Sequence, residues 1–300
     1  MPGGRAELAA RRRISKLAAA ALLAALPVSA ESGTVARPDP ACAAAGTAEA
    51  NQRFVDVQGV RLAYVRCGTG APAIVLEMGF GGNLEPWERI LPSLAGFAPA
   101  FAYSRPNRGR STGRWVGDAD GMRTSDEAAR LLRDALEAAG VSPPYLLVGT
   151  SLGGLYVQKF AQLYPADTAG IVLIDNRPAG YERECRAAGV PQCAAGSASP
   201  SWSPSIRSTY LGIEQSEAAA PTPEQLGDIP VLVLTATRTD MDDAEPFFSG
   251  FVAAQTAFAG QLRRGRQHFV EGATHDSLIE AHAQQVVEQI ARFWREIVGS

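Results

Sequence analysis

Residues Tyr145–Pro165 read YLLVGTSLGGLYVQKFAQLYP. An apolar run, YLLVG, meets a segment of helical character at a junction of small residues, Gly149-Thr150-Ser151-Leu152-Gly153. A serine between glycines at a strand-to-helix junction has two readings: a tight turn with a filler hydroxyl, or a nucleophile held on a sharp turn. The second reading has a physical logic. A strained turn brings strand and helix close together, so the flanking positions must be small. The turn lifts the hydroxyl clear of the sheet and points the free N–H groups of the helix start at a developing oxyanion. The surrounding chain decides between them.

Upstream, RFVDVQGVRLAYVRCG carries two alternating apolar runs about Gly59 and predicts a β-hairpin. PAIVLEMG and APAFAYS are continuous apolar runs, as strands buried on both faces would be. LEPWERILPSLAGF has helical character limited by Pro92. TSDEAARLLRDALEAAG predicts a helix with a Thr124 or Ser125 cap, Asp126 and Glu127 in the first turn, and Gly140 at its end. Downstream come the strands AGIVLID and IPVLVLTA, the strand-like run around His268, and a last amphipathic helix, SLIEAHAQQVVEQIARFWREIVG. Strands alternating with helices predict an α/β fold: a mostly parallel sheet with helices on both faces. The alternation breaks at residues 177–228, rich in Ala, Ser, Pro and Gly. A plain loop of that length is unusual, so a lid or cap with helix around Ser205–Glu217 is expected there. The core is then 53–176 and 229–300.

The chain has 300 residues, is 46% hydrophobic and carries a net charge of −3. It can bury a large core and shows no basic signal for nucleic acid. Residues 1–30 have a positive start (Arg5, Arg11, Arg12, Arg13, Lys16), an apolar stretch from Leu17 to Val28, and the small-x-small pattern Val28-Ser29-Ala30. This is the layout of a secretory signal peptide, with export by the Sec route or, given RRRISK, the twin-arginine route. Its removal takes away five positive charges and one negative, leaving −7. An acidic mature protein is a poor binder of nucleic acid or anionic membrane. Residues 31–52 read as a loose mature N-terminus. Four cysteines in an exported chain permit two disulfides, with Cys42–Cys67 and Cys185–Cys193 preferred as sequence neighbours. No Cys or His grouping suggests a metal site, and no cofactor is expected.

In open parallel sheets, sites form at the carboxyl ends of strands. Ser151, Asp175, Asp240 and His275 fall there. A serine hydroxyl is a poor nucleophile until a base takes its proton. Of the three histidines, His268 sits in a strand-like run and His282 in the last helix, so His275, in the loop GATHDS, is the candidate base. The imidazole needs a carboxylate to hold its tautomer. Asp240, nearest the end of IPVLVLTA in its cluster with Asp242 and Asp243, is preferred, and Asp175 is the alternative.

With VLEMGFGG at 75–82, YSRPNRGRS at 103–111, VGTSLGG at 148–154, the acid after IPVLVLTA and GATHDSL at 272–278, the chain resembles an α/β-hydrolase-fold serine hydrolase from about residue 53 to 297. The resemblance implies an oxyanion hole made by the backbone N–H groups of Leu152 and, by position, Phe80. The chain departs from the family pattern in four places. Met78 stands where His is frequent, Thr150 where His is frequent, Ser104 where Asp usually begins the loop, and Asn107 where Gly is common. None removes a triad member, and Asn tolerates the left-handed turn. Glu77 is either a polar group near the hole or an ion-pair partner for an arginine such as Arg105. The expected activity is hydrolysis of small-molecule carboxylic esters through an acyl-enzyme. The alternative is an amidase or aminopeptidase using the same triad, which would need a lid carboxylate (Glu182, Glu184, Glu214 or Glu217) to grip the substrate amine. A non-catalytic binding protein would keep the fold without an activated serine.

Overall fold

The computed structural model of the protein describes residue 42 and residues 51–113, 123–189, 201–239 and 245–299. The export signal expected over 1–30, most of the segment 31–52, and Asp240 lie outside these residues. In the hairpin, Gln58 and Gly59 both take positive φ (49° and 77°). They close a two-residue turn of the kind that matches strand twist, joining β1 (Arg53–Val57) to β2 (Val60–Cys67).

Six further strands follow: β3 (Ala73–Glu77), β4 (Ala100–Tyr103), β5 (Tyr145–Thr150), β6 (Thr168–Ile174), β7 (Val231–Ala236) and β8 (Gly265–Val270). The sheet order is β1-β2-β4-β3-β5-β6-β7-β8, with β1, β2 and β4 paired antiparallel and β3 to β8 parallel. The continuous apolar runs follow from this topology. Alternate side chains of β5 enter different cores: Tyr145 and Leu147 on one face, Leu146 and Val148 on the other. The helices α1 (Leu91–Ala95) and α9 (Ala283–Val298) cover the second face, while α2 (Ser125–Ala138) and α3 (Leu152–Leu163) cover the first.

The N-terminus of α2 is fixed by a reciprocal pair of bonds. Thr124 N donates to Glu127 Oε2 at 2.9 Å, and Glu127 N donates to Thr124 Oγ1 at 3.5 Å. Among the described residues between β6 and β7 are four short helices: α4 (Tyr181–Ala187), α5 (Pro204–Leu211), α6 (Ile213–Ala218) and α7 (Pro223–Leu226).

Two expectations are corrected, and one helix is new. LEPWERILPSLAGF is a 3₁₀ turn (Glu85–Arg89) followed by α1, because Pro92 cannot continue a helix from the preceding turn and instead sits in the first turn of a new one. The last helix starts at Ala283 and not at Ser277. The preceding residues form a 3₁₀ turn, and His282 stands at the N-cap, its Nδ1 3.0 Å from Ser277 Oγ. The sequence reading did not anticipate α8 (Glu245–Gln261), which crosses between β7 and β8.

Cys42 is joined to Cys67, as expected, with Cα atoms 5.8 Å apart. Cys185 is also disulfide-bonded, and Cys193, its expected partner, lies outside the described residues. Among the described residues, no helix is long and apolar enough to cross a membrane.

Candidate active site

Ser151 sits between the end of β5 and the start of α3 with φ 51° and ψ −123°, a strained conformation for a residue with a side chain. The flanking glycines make that turn possible. A Cβ on Gly149 would stand 2.6 Å from Gly153 O, and one on Gly153 would stand 2.5 Å from Glu77 O and 2.7 Å from Met78 O. The turn is anchored at both ends: Ser151 N donates to Ile174 O at 3.0 Å, and Arg177 N donates to Ser151 O at 3.0 Å. Leu152 opens α3, where N–H groups have no partner within the helix.

Asp175 follows β6 with φ 41°. Its carboxylate is almost fully buried and surrounded by donors. Oδ1 accepts from Ala236 N at 3.2 Å and from Gln255 Nε2 at 3.2 Å, and Oδ2 lies 2.7 Å from His275 Nδ1. The structure thus brings Asp175 and His275 together, and Asp175 occupies the imidazole nitrogen that a triad acid needs. Asp240, preferred from the sequence, lies outside the described residues.

His275 is 45% exposed and lines the cavity above the sheet. Burial pushes its pKa down, but the hydrogen bond and charge of Asp175 more than offset this and hold it above the usual histidine value.

The loop after β3, Met78 to Gly82, passes beside Ser151. A Cβ on Gly79 would lie 3.0 Å from Ser151 Cβ. Glu77, at the end of β3, is fully buried and pairs with Arg105 (Oε1 to Nη1, 2.7 Å), while Tyr103 Oη donates to Glu77 Oε2. Both alternatives for Glu77 therefore hold: it is an arginine partner and a polar group under the candidate hole. Ser104, in place of the usual Asp, accepts from Leu84 N at 3.0 Å, and Asn107 takes φ 57°, so the turn persists. The Phe80 ring packs edge-on to Trp202 and Tyr210 of the segment between β6 and β7.

A cavity of about 290 Å³ is lined by Ser151, Asp175 and His275 together with Phe247, Phe248 and Phe251 of α8. The segment 177–228, expected as a lid, contributes Arg177 to the same lining. There Tyr181 packs edge-on against Phe247 and Phe251, and Trp202 and Tyr210 pack edge-on against Phe80. Of the four candidate amine-gripping carboxylates, none is among the residues lining the cavity. Glu182 and Glu217 both bind Arg177, Glu214 binds Arg186 at 3.0 Å, and Glu184 is exposed. Among the described residues, no group of three or more His, Cys, Asp or Glu could hold a metal ion.

A mostly parallel sheet with a serine elbow after β5 and a His–Asp pair beyond the ends of β6 and β8 is the signature of one architecture. The chain belongs to the α/β hydrolase fold family, whose model matches residues 72–278. It is 33% identical over 110 residues to YqjL of Bacillus subtilis (37% of this chain, 42% of the relative). It is 30% identical over 127 residues to the esterase Rv0045c of Mycobacterium tuberculosis (42% of this chain, 40% of the relative). The chain thus spans less than half the length of these relatives. Its fold is also that of a thermophilic esterase from Thermogutta terrifontis, with TM-score 0.62, 19% identity, and coverage of 82% of this chain and 99% of that one.

Proposed function

We propose that this protein is a serine hydrolase that cleaves small-molecule carboxylic esters through an acyl-enzyme, with Ser151 as nucleophile, His275 as base and Asp175 as the acid. The observation that carries this reading is the 2.7 Å contact between Asp175 Oδ2 and His275 Nδ1, at the wall of a cavity that Ser151 also lines. Ser151 Oγ attacks the ester carbonyl carbon and its proton passes to His275 Nε2. The carbonyl oxygen becomes an oxyanion facing the N–H groups of Leu152 and Phe80. Collapse of the intermediate breaks the bond to the alkoxide, which leaves with the proton from His275. A water then gives its proton to His275 and its oxygen to the acyl carbon, and the acid departs as Ser151 regains its proton.

The apolar wall of Phe247, Phe248 and Phe251 supports a hydrophobic acyl or alcohol group, with Arg177, at the start of the expected lid, on the same lining. The amidase reading is weaker, since none of the four lid carboxylates lines the cavity where a substrate amine would have to be held. The disulfides suit an oxidising compartment, in keeping with export. Fluorophosphonate labelling and p-nitrophenyl ester turnover test the reading. Wild type is expected to label and turn over, and Ser151→Ala to lose both. Full activity in Ser151→Ala would overturn it.

A further inference from the structure

Four consecutive carbonyls of the loop after β3 are held by two arginine side chains. The Arg105 guanidinium donates from Nη1 to Met78 O at 2.7 Å, and from Nη2 to Gly79 O and to Phe80 O at 3.2 Å. Arg108 Nε donates to Gly81 O at 2.5 Å. Arg105 is only 2% exposed, and burying a cation is costly unless its charge is paired and its donors are used. Glu77 supplies the charge, and the loop carbonyls take the donors. The chain makes room for this group: a Cβ on Gly82, which has φ +69°, would stand 2.6 Å from Arg105 Nε. The guanidinium also lies over the Tyr156 ring, 5.1 Å from its centroid. Tyr156 belongs to α3, the helix that begins at Leu152.

A trans peptide unit is a rigid plane in which the C=O of one residue and the N–H of the next point opposite ways. Gly79 O and Phe80 N belong to one such unit. Holding that oxygen from the Arg105 side aims the Phe80 N–H away from the arginine. Gly79 is also where the loop touches Ser151. The geometry points to Arg105, held by Glu77, as a positioning residue that fixes the Phe80 N–H relative to the Leu152 N–H in the candidate oxyanion hole. It touches no reacting atom. This inference rests on the serine-hydrolase reading. Lysine cannot replace it: an ammonium keeps the charge but lacks the planar fork that spans three carbonyls.

The test compares wild type, Arg105→Lys and Glu77→Gln. Active sites are counted by fluorophosphonate titration, so that misfolded protein drops out of the rate. For Arg105→Lys, kcat per titrated site is expected to fall about 10- to 100-fold with KM within about threefold, short of the roughly 10²- to 10³-fold loss of a whole oxyanion donor. The affinity of an alkyl trifluoromethyl ketone, whose serine adduct carries the oxyanion, is expected to fall by the same factor as kcat/KM. Glu77→Gln keeps the side-chain volume, so it carries the test if Arg105→Lys does not fold, with a smaller parallel loss of rate and ketone affinity. Unchanged kcat per titrated site in both variants, or a loss of kcat with ketone affinity intact, would overturn the inference while leaving the serine-hydrolase reading in place. If wild type neither labels nor turns over ester, the reading itself fails, and the inference with it.

Discussion

Asp175 Oδ2 lies 2.7 Å from His275 Nδ1, while Oδ1 accepts from two N–H donors. The consequence is a pH dependence with a definite sign. His275 must be neutral to take the serine proton, and its pKa stands above the usual histidine value. The rate should therefore fall as pH drops through that raised value. Asp175→Asn removes the charge that raises it, so the acid limb should move to lower pH while the plateau of kcat/KM falls by about 10⁴. Asp240→Asn is the paired control and should leave kcat/KM within about threefold of wild type. A pH–rate series on both variants checks this, and the reverse ranking would return the acid role to Asp240. Ser151 and His275 were legible in the sequence because each is confined by local chemistry: glycines fix one, and strand–loop context singles out the other. The carboxylate that pairs with His275 was not singled out. Two carboxylates stood beyond adjacent strands, and the groups that hold Asp175, its positive φ and the amide of Gln255, become visible only when α8 is in place.

At the scale of elements, the close approach of α3 to β3 is the feature on which the elbow depends. In an isolated helix, alanine at position 153 would gain up to about 1 kcal/mol over glycine. Here its Cβ would meet backbone oxygens at 2.5 and 2.7 Å, and backbone cannot swing aside as a side chain can. Overpacking of this kind costs about 1–3 kcal/mol. Gly153→Ala is therefore expected to lower Tm by roughly 2–10 °C and also to reduce kcat per titrated site, since the displaced helix carries the Leu152 N–H. Calorimetry and titrated rates check it, and an unchanged Tm would contradict the close packing.

The strands and α2 were readable because buried parallel strands give continuous apolar runs and α2 has a full capping box. Helix α8 was missed for a physical reason as well. EPFFSGFVAAQTAFAGQ is apolar on every side and contains Pro246, Gly250 and Gly260, so it lacks the period that marks a surface helix. Topology held the missing signal, because two adjacent parallel strands, β7 and β8, require a crossover between them. The omission also hid the aromatic wall of the cavity, Phe247, Phe248 and Phe251.

Across the whole molecule, stability and chemistry are placed at opposite edges of the sheet. Cys67 pairs across from Ala100, the first residue of β4, and so lies at the edge where the parallel strands begin. Ser151, Asp175 and His275 lie where they end. The Cys42–Cys67 bond joins residues 25 apart in sequence. The loop-closure model then gives a loss of about 3.5 kcal/mol when it is removed, through the greater freedom of the unfolded chain. The double variant Cys42→Ser/Cys67→Ser should show that loss in denaturant unfolding while keeping kcat per titrated site within about twofold of wild type. The variant is preferable to a reducing agent, which would also open the bridge at Cys185. A fall in kcat with no loss of stability would mean that the N-terminal segment reaches the site and does not simply brace the far edge. The expected pattern, stability lost and turnover kept, is what a crosslink would show if it secures the end of the sheet where the parallel strands begin and leaves their far ends to the candidate site.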